Sequence, residues 1–455
     1  MMDFLTSVIH GFFEFEAYVM LPFFIFIIGL LVGMKVRHAF MAALKLGVGF
    51  AGVFIVFAYF VGIIQPAVAS MVARWGFEFP VLDVGWVPLA AITWSSPVAP
   101  LSILLVMFVN ILMLLLGVTK TIYIDIWNYW HFALIGALIF GTSENMFLAL
   151  LSVLLIAVYT IKNGDWAAPF VKRETGLTGV TISPVSVVGL LPFAVTMEAL
   201  YDRIPGFRRL KVNPSKNERS GSLSDFFSEP MIIGVLLGLL LGGFAGYPLK
   251  DILKTSINIA AVMFLLPVCA GLIARGITAV TGVLQETITR RFPRRKGLNV
   301  AVDTGILMES KSVILTGLLL MPLSLLLAFI VPGNKTLPLG DLPNLLSIMS
   351  LTVIVHRGNV LRSVITGIPV VATFMIIASR FAPLFTRLAL ETGNREMTAL
   401  AAHQEITAFT DGGNHLRFLL FHLFNGNTVA MISIPVVIGM MVFTSWRAKK
   451  AAAEL

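Results

Sequence analysis

The chain has 455 residues, 57% of them hydrophobic and 13% charged, with 35 Phe, 20 Met and a formal net charge of +9. A soluble domain carries about 25% charged residues, so a water-soluble globular fold is excluded. The positive charge does not form a nucleic-acid surface, because it collects in short segments between apolar runs: Lys35 and Arg37, then 203–219, 290–296 and 447–450. That distribution is the positive-inside signature of cytoplasmic loops in a multi-pass membrane protein.

Asp3, Glu14 and Glu16 replace the basic start of a cleavable signal, so the N-terminus is predicted to be retained and periplasmic. Spans are predicted over 18–34 and 40–64, the second ended by Pro66, with an amphipathic interfacial piece over 66–75. Residues 77–96 are too polar and proline-broken to cross, and read as a re-entrant or surface segment. A span over 101–117 follows, then a polar aromatic stretch over 122–131 and an apolar region over 132–161 interrupted at 141–145. Residues 162–184 read as polar and Gly/Thr-rich, with Lys162, Lys172 and Arg173 on the outer side, paired locally with Asp165 and Glu174. The 201–227 segment, rich in basic residues, is the expected cytoplasmic linker.

The second half runs through apolar segments at 230–247, 257–280, 315–331 and 360–378, then a polar region over 391–415 and a final span over 429–446. The single cysteine, Cys269, lies within an apolar run and is assigned to packing.

The stretch 331–359 carries Asn334, Asp341, Asn344, His356, Arg357 and Asn359 among helix breakers, between two long apolar runs. Backbone of that kind at membrane depth must be buried in protein or line a cavity; the plain alternative is a solvated loop. The stretch has a counterpart. Lys120-Thr121 through Asp125 and Asn128 mirrors Lys335-Thr336 through Asp341 and Asn344, and Asn145 mirrors Asn359. Asp83-Val84-Gly85 mirrors Asp303-Thr304-Gly305, and Thr178–Thr181 echoes Thr407–Thr410. These pairs keep their order at nearly one spacing, which indicates duplicated halves, the best sequence pointer to a transporter site.

The fold class expected is an all-α polytopic membrane protein of about eleven transmembrane helices with re-entrant segments. Its regions are a first inverted repeat over 1–200, the linker over 201–227, a second inverted repeat over 228–425, and a final helix and cytoplasmic tail over 426–455. An odd number of crossings puts the C-terminus in the cytoplasm.

The candidate substrate-binding residues are Asp83, Trp86, Thr93, Asp125, Asn128, His131, Asp303, Asn334, Asp341, His356, Arg357 and Asn359, with Asp83 and Asp303 the catalytic candidates. Carboxylates accept from hydroxyls and Asn both donates and accepts, so the inventory suits a neutral, hydroxyl-rich ligand. An anionic ligand would call for convergent Arg or Lys. Each residue has a bland reading too: Asp125 as a helix cap, Arg357 as a carboxylate partner. His131 and His356 lack partners at ligand spacing, and neither a metal nor a cofactor is expected.

Several motifs together resemble the galactitol-type IIC component of the bacterial sugar phosphotransferase system. They are Asp83-Val84-Gly85-Trp86 with Thr93-Trp94, Asp125-Ile126-Trp127-Asn128 with Trp130-His131, Val331-Pro332-Gly333-Asn334 with Gly340-Asp341-Leu342, and Val355-His356-Arg357-Gly358-Asn359. A remoter similarity is to ascorbate IIC permeases. The resemblance implies a homodimer of scaffold (V-motif) and core domains that moves elevator-fashion. It also implies a permease that carries galactitol or a related polyol, coupled to its phosphorylation by a separate IIB protein, itself charged by IIA. The chain departs from the galactitol proteins around Ser183–Ser186 and Glu309–Ser310, which leaves the alditol open. The runner-up is an ion-coupled secondary transporter in which Asp83, Asp303 or Asp341 carries the ion.

Overall fold

The computed structural model describes residues 17–76, 78–209, 212–213, 230–291, 297–308, 310–392, 398 and 401–455. The basic positions Lys211, Lys216, Arg219 and Arg294–Lys296, and Glu309, lie outside them. The described chain is mostly helical. Among the described residues, five helices are long and apolar enough to cross a membrane, six if one bent pair counts as a span.

α1 (Ala17–Leu31) and α2 (Val36–Trp75) pack with α10 (Pro230–Ala245) and α11 (Leu249–Arg291) as one group. At about 1.5 Å per residue, the 40 residues of α2 and 43 of α11 each run roughly 60 Å. Pro66 does not end α2 as the sequence suggests; the helix continues through it to Trp75. α2 and α11 lie antiparallel at close range: a Cβ on Gly49 would meet Ile273 and the Cys269 carbonyl, and one on Gly276 would meet the Ala42 carbonyl. Small residues allow such approach where lipid supplies no hydrophobic drive between helices. Cys269 packs its sulfur against Gly52.

Between α2 and α10 run β1 (Val81–Asp83), α3 (Trp86–Trp94), α4 (Ala99–Leu115), β2 (Thr121–Tyr123), α5 (Trp130–Ser143), α6 (Met146–Thr175), β3 (Val180–Ile182), α7 (Val185–Val188), α8 (Leu191–Arg203) and α9 (Pro205–Arg209). After α11 come β4 (Asn299–Val302), α12 (Lys311–Ile330), β5 (Thr336–Leu337), α13 (Leu345–Val355), α14 (Val360–Thr392), β6 (Glu405–Thr407), α15 (His415–Phe424) and α16 (Thr428–Ala453). The segment over 77–96 is β1 plus α3, which meets α4 at 93°. Residues 162–175, polar in sequence, continue α6: their polar side chains bond locally within the helix.

The strands depart from an all-α expectation. They form two small parallel sheets, ordered β5-β1-β6 and β2-β4-β3. Each central strand comes from the other half of the chain than its two neighbours: Val81 pairs with Thr336 and Glu405, and Val300 pairs with Ile122 and Val180. The physical reason is backbone satisfaction. Where a helix breaks inside a membrane protein, the freed N–H and C=O groups need partners, and a neighbouring broken segment supplies them.

α5 and α13 are half-length helices, about 21 and 17 Å long. Both start from a one-turn 3-10 helix, Ile126–Tyr129 or Leu342–Asn344, each set by a backbone bond from the Asn to the Asp three residues earlier. Residues 130–139 of α5 are all buried, so the helix sits within the protein rather than at its surface. Among the described residues, the two non-glycine residues with positive φ close the turns after these helices: Glu144 at 52° after α5 and Arg357 at 57° after α13. In both turns an asparagine follows, Asn145 and Asn359, and its side chain accepts from the first turn of the next helix.

Lys162 and Lys172 share a surface cavity with Lys120, Asn299 and Lys449, so they lie on the side of the C-terminus rather than opposite it. The local pairs expected from sequence are present, Lys162–Asp165 at 2.8 Å and Arg173–Glu174 at 3.1 Å.

Candidate functional site

Each sheet ends in a carboxylate cluster. At the end of β2-β4-β3, Asp125 Oδ2 accepts from Ser183 Oγ at 2.6 Å and from Asn128 Nδ2 at 2.7 Å. The same amide lies 3.2 Å from Asp303 Oδ2. Asp303 Oδ1 accepts from Gly305 N at 3.3 Å and Thr304 Oγ1 at 3.2 Å. Asp125 and Asp303 are only partly buried. Both lie outside the spanning helices. Burial and the charge of Asp303 push the Asp125 carboxyl up to about 7, and burial also raises Asp303.

At the end of β5-β1-β6 the carboxylates are sealed. Asp83, 5% exposed, accepts from Phe409 N at 2.9 Å, Asp341 N at 3.1 Å and Gly85 N at 3.2 Å. Asp341, fully buried, accepts from Trp86 N at 2.7 Å and from Thr410 through both its N–H (3.0 Å) and its hydroxyl (2.7 Å). These two side chains therefore tie three broken segments together. The segments cross so closely that a Cβ on Gly340 would lie 2.5 Å from the Asp83 carbonyl oxygen, which only glycine avoids.

A second layer joins the clusters. Asn344 donates to Thr410 Oγ1 (2.8 Å) and Asp411 Oδ2 (3.1 Å), and Asp411 also takes the Ser186 hydroxyl from beside the first cluster. Thr304 and Ser347 share a hydroxyl bond of 2.7 Å across the same gap. Buried Arg417 donates to the carbonyls of Asp411 and His131 and to His131 Nδ1, which places the His131 proton on Nε2. The His131 ring stacks on Trp130 at 4.0 Å, and Trp130 stacks on Trp86 at 6.3 Å.

The structure thus brings together Asp125, Asn128 and Asp303, with Asp83, Trp86, His131 and Asp341 in the neighbouring layer. It sets the others apart. Thr93 bonds the Leu89 carbonyl within α3. Asn334 spans the Ala328 and Thr336 carbonyls and holds β5. His356 Nδ1 meets Glu198 Oε2 at 2.8 Å, in a buried network with Arg362 and Thr366 that reaches the exposed Asp202. Asn359 caps α14, and the Arg357 side chain is exposed. Asp125 makes no capping bond to the turn it starts; its carboxylate goes to Asn128 and Ser183. Sequence reasoning left out Ser183, Ser186 and Arg417 as partners, since isolated serines and one arginine carry no pattern; Asp411 sits in the polar region over 391–415.

A buried, carboxylate-rich junction of broken helices, among several membrane-crossing helices, defines a multi-pass membrane protein with a polar site inside its fold. The chain matches the family model of the sugar-specific permease component of the phosphotransferase system (EIIC-GAT) over residues 11–398, and it belongs to that family. It is 31% identical to the galactitol-specific EIIC component of Escherichia coli K12 over 430 residues, which is 94% of this chain and 93% of that protein. A putative permease IIC component of the same organism is 32% identical over 376 residues, covering 82% of this chain and 85% of its own length.

Proposed function

We propose that this chain carries galactitol or a related polyol across the inner membrane and presents it for phosphorylation by a separate IIB protein. The observation that carries the reading is the Asp125–Asn128–Asp303 cluster: two partly open carboxylates held by one amide. Such a pair accepts from adjacent hydroxyls of a neutral ligand without needing a cation to balance an anionic one. Trp86, on the same junction, offers an apolar face to the carbon chain.

In the transfer, a polyol hydroxyl oxygen attacks phosphorus and forms a P–O bond while the bond to the IIB side chain breaks. The hydroxyl proton passes to the carboxylate pair, with Asp303 the proposed base, and the IIB residue leaves with the electron pair of the broken bond. Positioning and charge stabilisation supply most of such a reaction. Asp83, also a catalytic candidate from sequence, is better used as a structural tie, because its oxygens are taken by backbone N–H groups.

We further read the chain as two inverted repeats, with the N-terminus periplasmic and the C-terminus cytoplasmic. The exchanged central strands, the paired D-x-x-N turns and the matching turns at Glu144 and Arg357 support the repeat. The group of α1, α2, α10 and α11 serves as scaffold in a homodimer, and the remainder moves against it elevator-fashion.

Proteoliposomes holding phosphorylated IIB protein test the reading. Galactitol added outside is expected to appear inside only as the phosphate ester. Free galactitol concentrated inside against its gradient, with a proton or sodium gradient as the driving force, would instead make this an ion-coupled transporter.

A further inference from the structure

A cavity on the side of the linker lies beside the turn that follows Asp303. It has a volume of about 850 Å³ and is lined by Lys45 of α2, Arg275 of α11, Lys311 of α12, and Ile306, Leu307 and Gly358. Its floor is therefore the turn that begins at Asp303: Ile306 ends the 3-10 helix for which Asp303 is the cap. Its walls come from both helix groups, the long α2–α11 pair on one side and the broken-helix core on the other.

The charge of this cavity is unbalanced. Lys45, Arg275 and Lys311 are exposed, and among the described residues none of them forms an ion pair. Among the described residues the wall carries one carboxylate, Glu174, which is engaged by Arg173 at 3.1 Å. Two long helices also start here, α12 at Lys311 and α14 at Val360, just after Gly358. The helix dipole favours negative charge at that end, while the first-turn N–H groups of α14 are already taken by Asn359 and the Val212 carbonyl. Asn213, from the linker, fixes the rim: it donates to the Arg357 carbonyl at 2.7 Å, and Val360 N donates to the Val212 carbonyl at 2.8 Å. That leaves the exposed Arg357 side chain beside the opening.

We infer that this cavity is the dock for the phosphate-bearing loop of the donor protein, with Lys45, Arg275 and Lys311 pairing with the phosphate while it is still bonded to the donor. The inference rests on the phosphotransfer reading above and adds the route and the residues. An anionic phosphate enters along three cations and two helix starts and meets the turn carrying Asp303. The neutral polyol has no use for those charges, so they act on the donor alone. A wall shared by the two helix groups also makes the dock depend on their relative position, so that donor engagement reports on how the core stands against the α2–α11 pair.

The test uses the full-length protein in inside-out vesicles with purified phosphorylated IIB protein of the same host. Arg275→Gln with Lys311→Gln is expected to raise the KM for phosphorylated IIB about tenfold and to flatten its salt dependence, as loss of steering charges does. The Kd for galactitol should not move, and Arg275→Lys should recover most of the loss. An unchanged KM for IIB with normal wild-type turnover would overturn the dock and leave the phosphotransfer reading standing. So would a parallel loss of galactitol affinity, which would assign the cations to the polyol. If the variants keep their KM for IIB and lose only the stimulation given by phosphatidylglycerol, the cavity holds a lipid headgroup and the inference fails. Absence of any phosphorylated product from the wild-type protein would overturn the phosphotransfer reading and this one with it.

Discussion

Asp125 and Asp303, from opposite halves of the chain, share one amide: Asn128 Nδ2 lies 2.7 Å from an oxygen of the first and 3.2 Å from an oxygen of the second. The two carboxylates are close enough that the charge of Asp303 raises the Asp125 carboxyl. Two like charges in one partly desolvated site do not both ionise readily, and the pair holds a proton into the neutral range. A site that must take a proton from a hydroxyl benefits from such an acceptor.

The first prediction follows from that pair. Asp303→Asn should weaken galactitol binding about ten- to a hundredfold, the effect of losing roughly 1.5–3 kcal/mol in a charged hydrogen bond. Phosphorylation should fall by a further factor of about 10²–10⁴, the usual share of a general base. Asp125→Asn should cost binding with a smaller effect on transfer. Isothermal titration in detergent and a phosphorylation assay separate the two effects; equal losses in both assays for Asp303→Asn would remove it as the base.

pH dependence gives the second. The pair must have lost its shared proton to accept the hydroxyl proton, so phosphorylation should rise with pH through a midpoint of about 7, where burial and the charge of Asp303 push the Asp125 carboxyl, and level off above it. Removing the like charge should lower that midpoint, so Asp303→Asn should shift the residual profile to more acid pH. A profile flat from pH 5 to 8 would speak against a titrating pair.

Much of this arrangement was legible in the sequence, because polar residues in apolar surroundings have few innocent explanations. The D-x-x-N pairs at Asp125 and Asp341, and the D-x-G pair at Asp83 and Asp303, do begin or end matching elements. What one-dimensional reading could not give is exposure. Asp83 and Asp303 look alike in sequence, yet one is wrapped by the backbone N–H groups of Gly85, Asp341 and Phe409 while the other is half open. The short strands were equally hidden: two to four residues each, they exist only because a distant broken segment supplies the partner strand. His356 was drawn toward the site by its neighbours in the polar run, and its actual partner, Glu198, belongs to a helix in the other half.

The third prediction concerns that buried network. Arg362 Nη1 lies 2.9 Å from Glu198 and 3.0 Å from Asp202. Arg362→Ala leaves Glu198 buried with less compensation, which should cost about 3–5 kcal/mol. Thermal unfolding in detergent should show a lower midpoint, while the folded fraction binds galactitol normally. Lost affinity at an unchanged midpoint would assign the network to the site.

Sidedness gives the fourth. In a Cys269→Ser background, cysteines at Lys120 and Lys449 should be shielded together from an impermeant reagent in intact cells, because both line one cavity. A cysteine at Glu144, exposed in the turn after α5, should label readily. Labelling of Lys120 without Lys449 would break the common side, and labelling of both would invert the orientation.

The last prediction separates tie from catalyst. Asp83 accepts three backbone N–H bonds with its two oxygens, and Asn keeps only one of those oxygens and no charge. Asp83→Asn should therefore place an amide N–H against a backbone N–H and lose at least one charged hydrogen bond, for roughly 2–3 kcal/mol or more. The yield of folded protein and its unfolding midpoint should both drop. Protein that does fold should bind galactitol within about threefold of wild type, since an effect below roughly 0.7 kcal/mol is what remains when a tie beside the site relaxes slightly. A stable Asp83→Asn protein with abolished phosphorylation would return Asp83 to the catalytic role that its sequence motif suggests. It would also require the β5-β1-β6 cluster to open during the transport cycle.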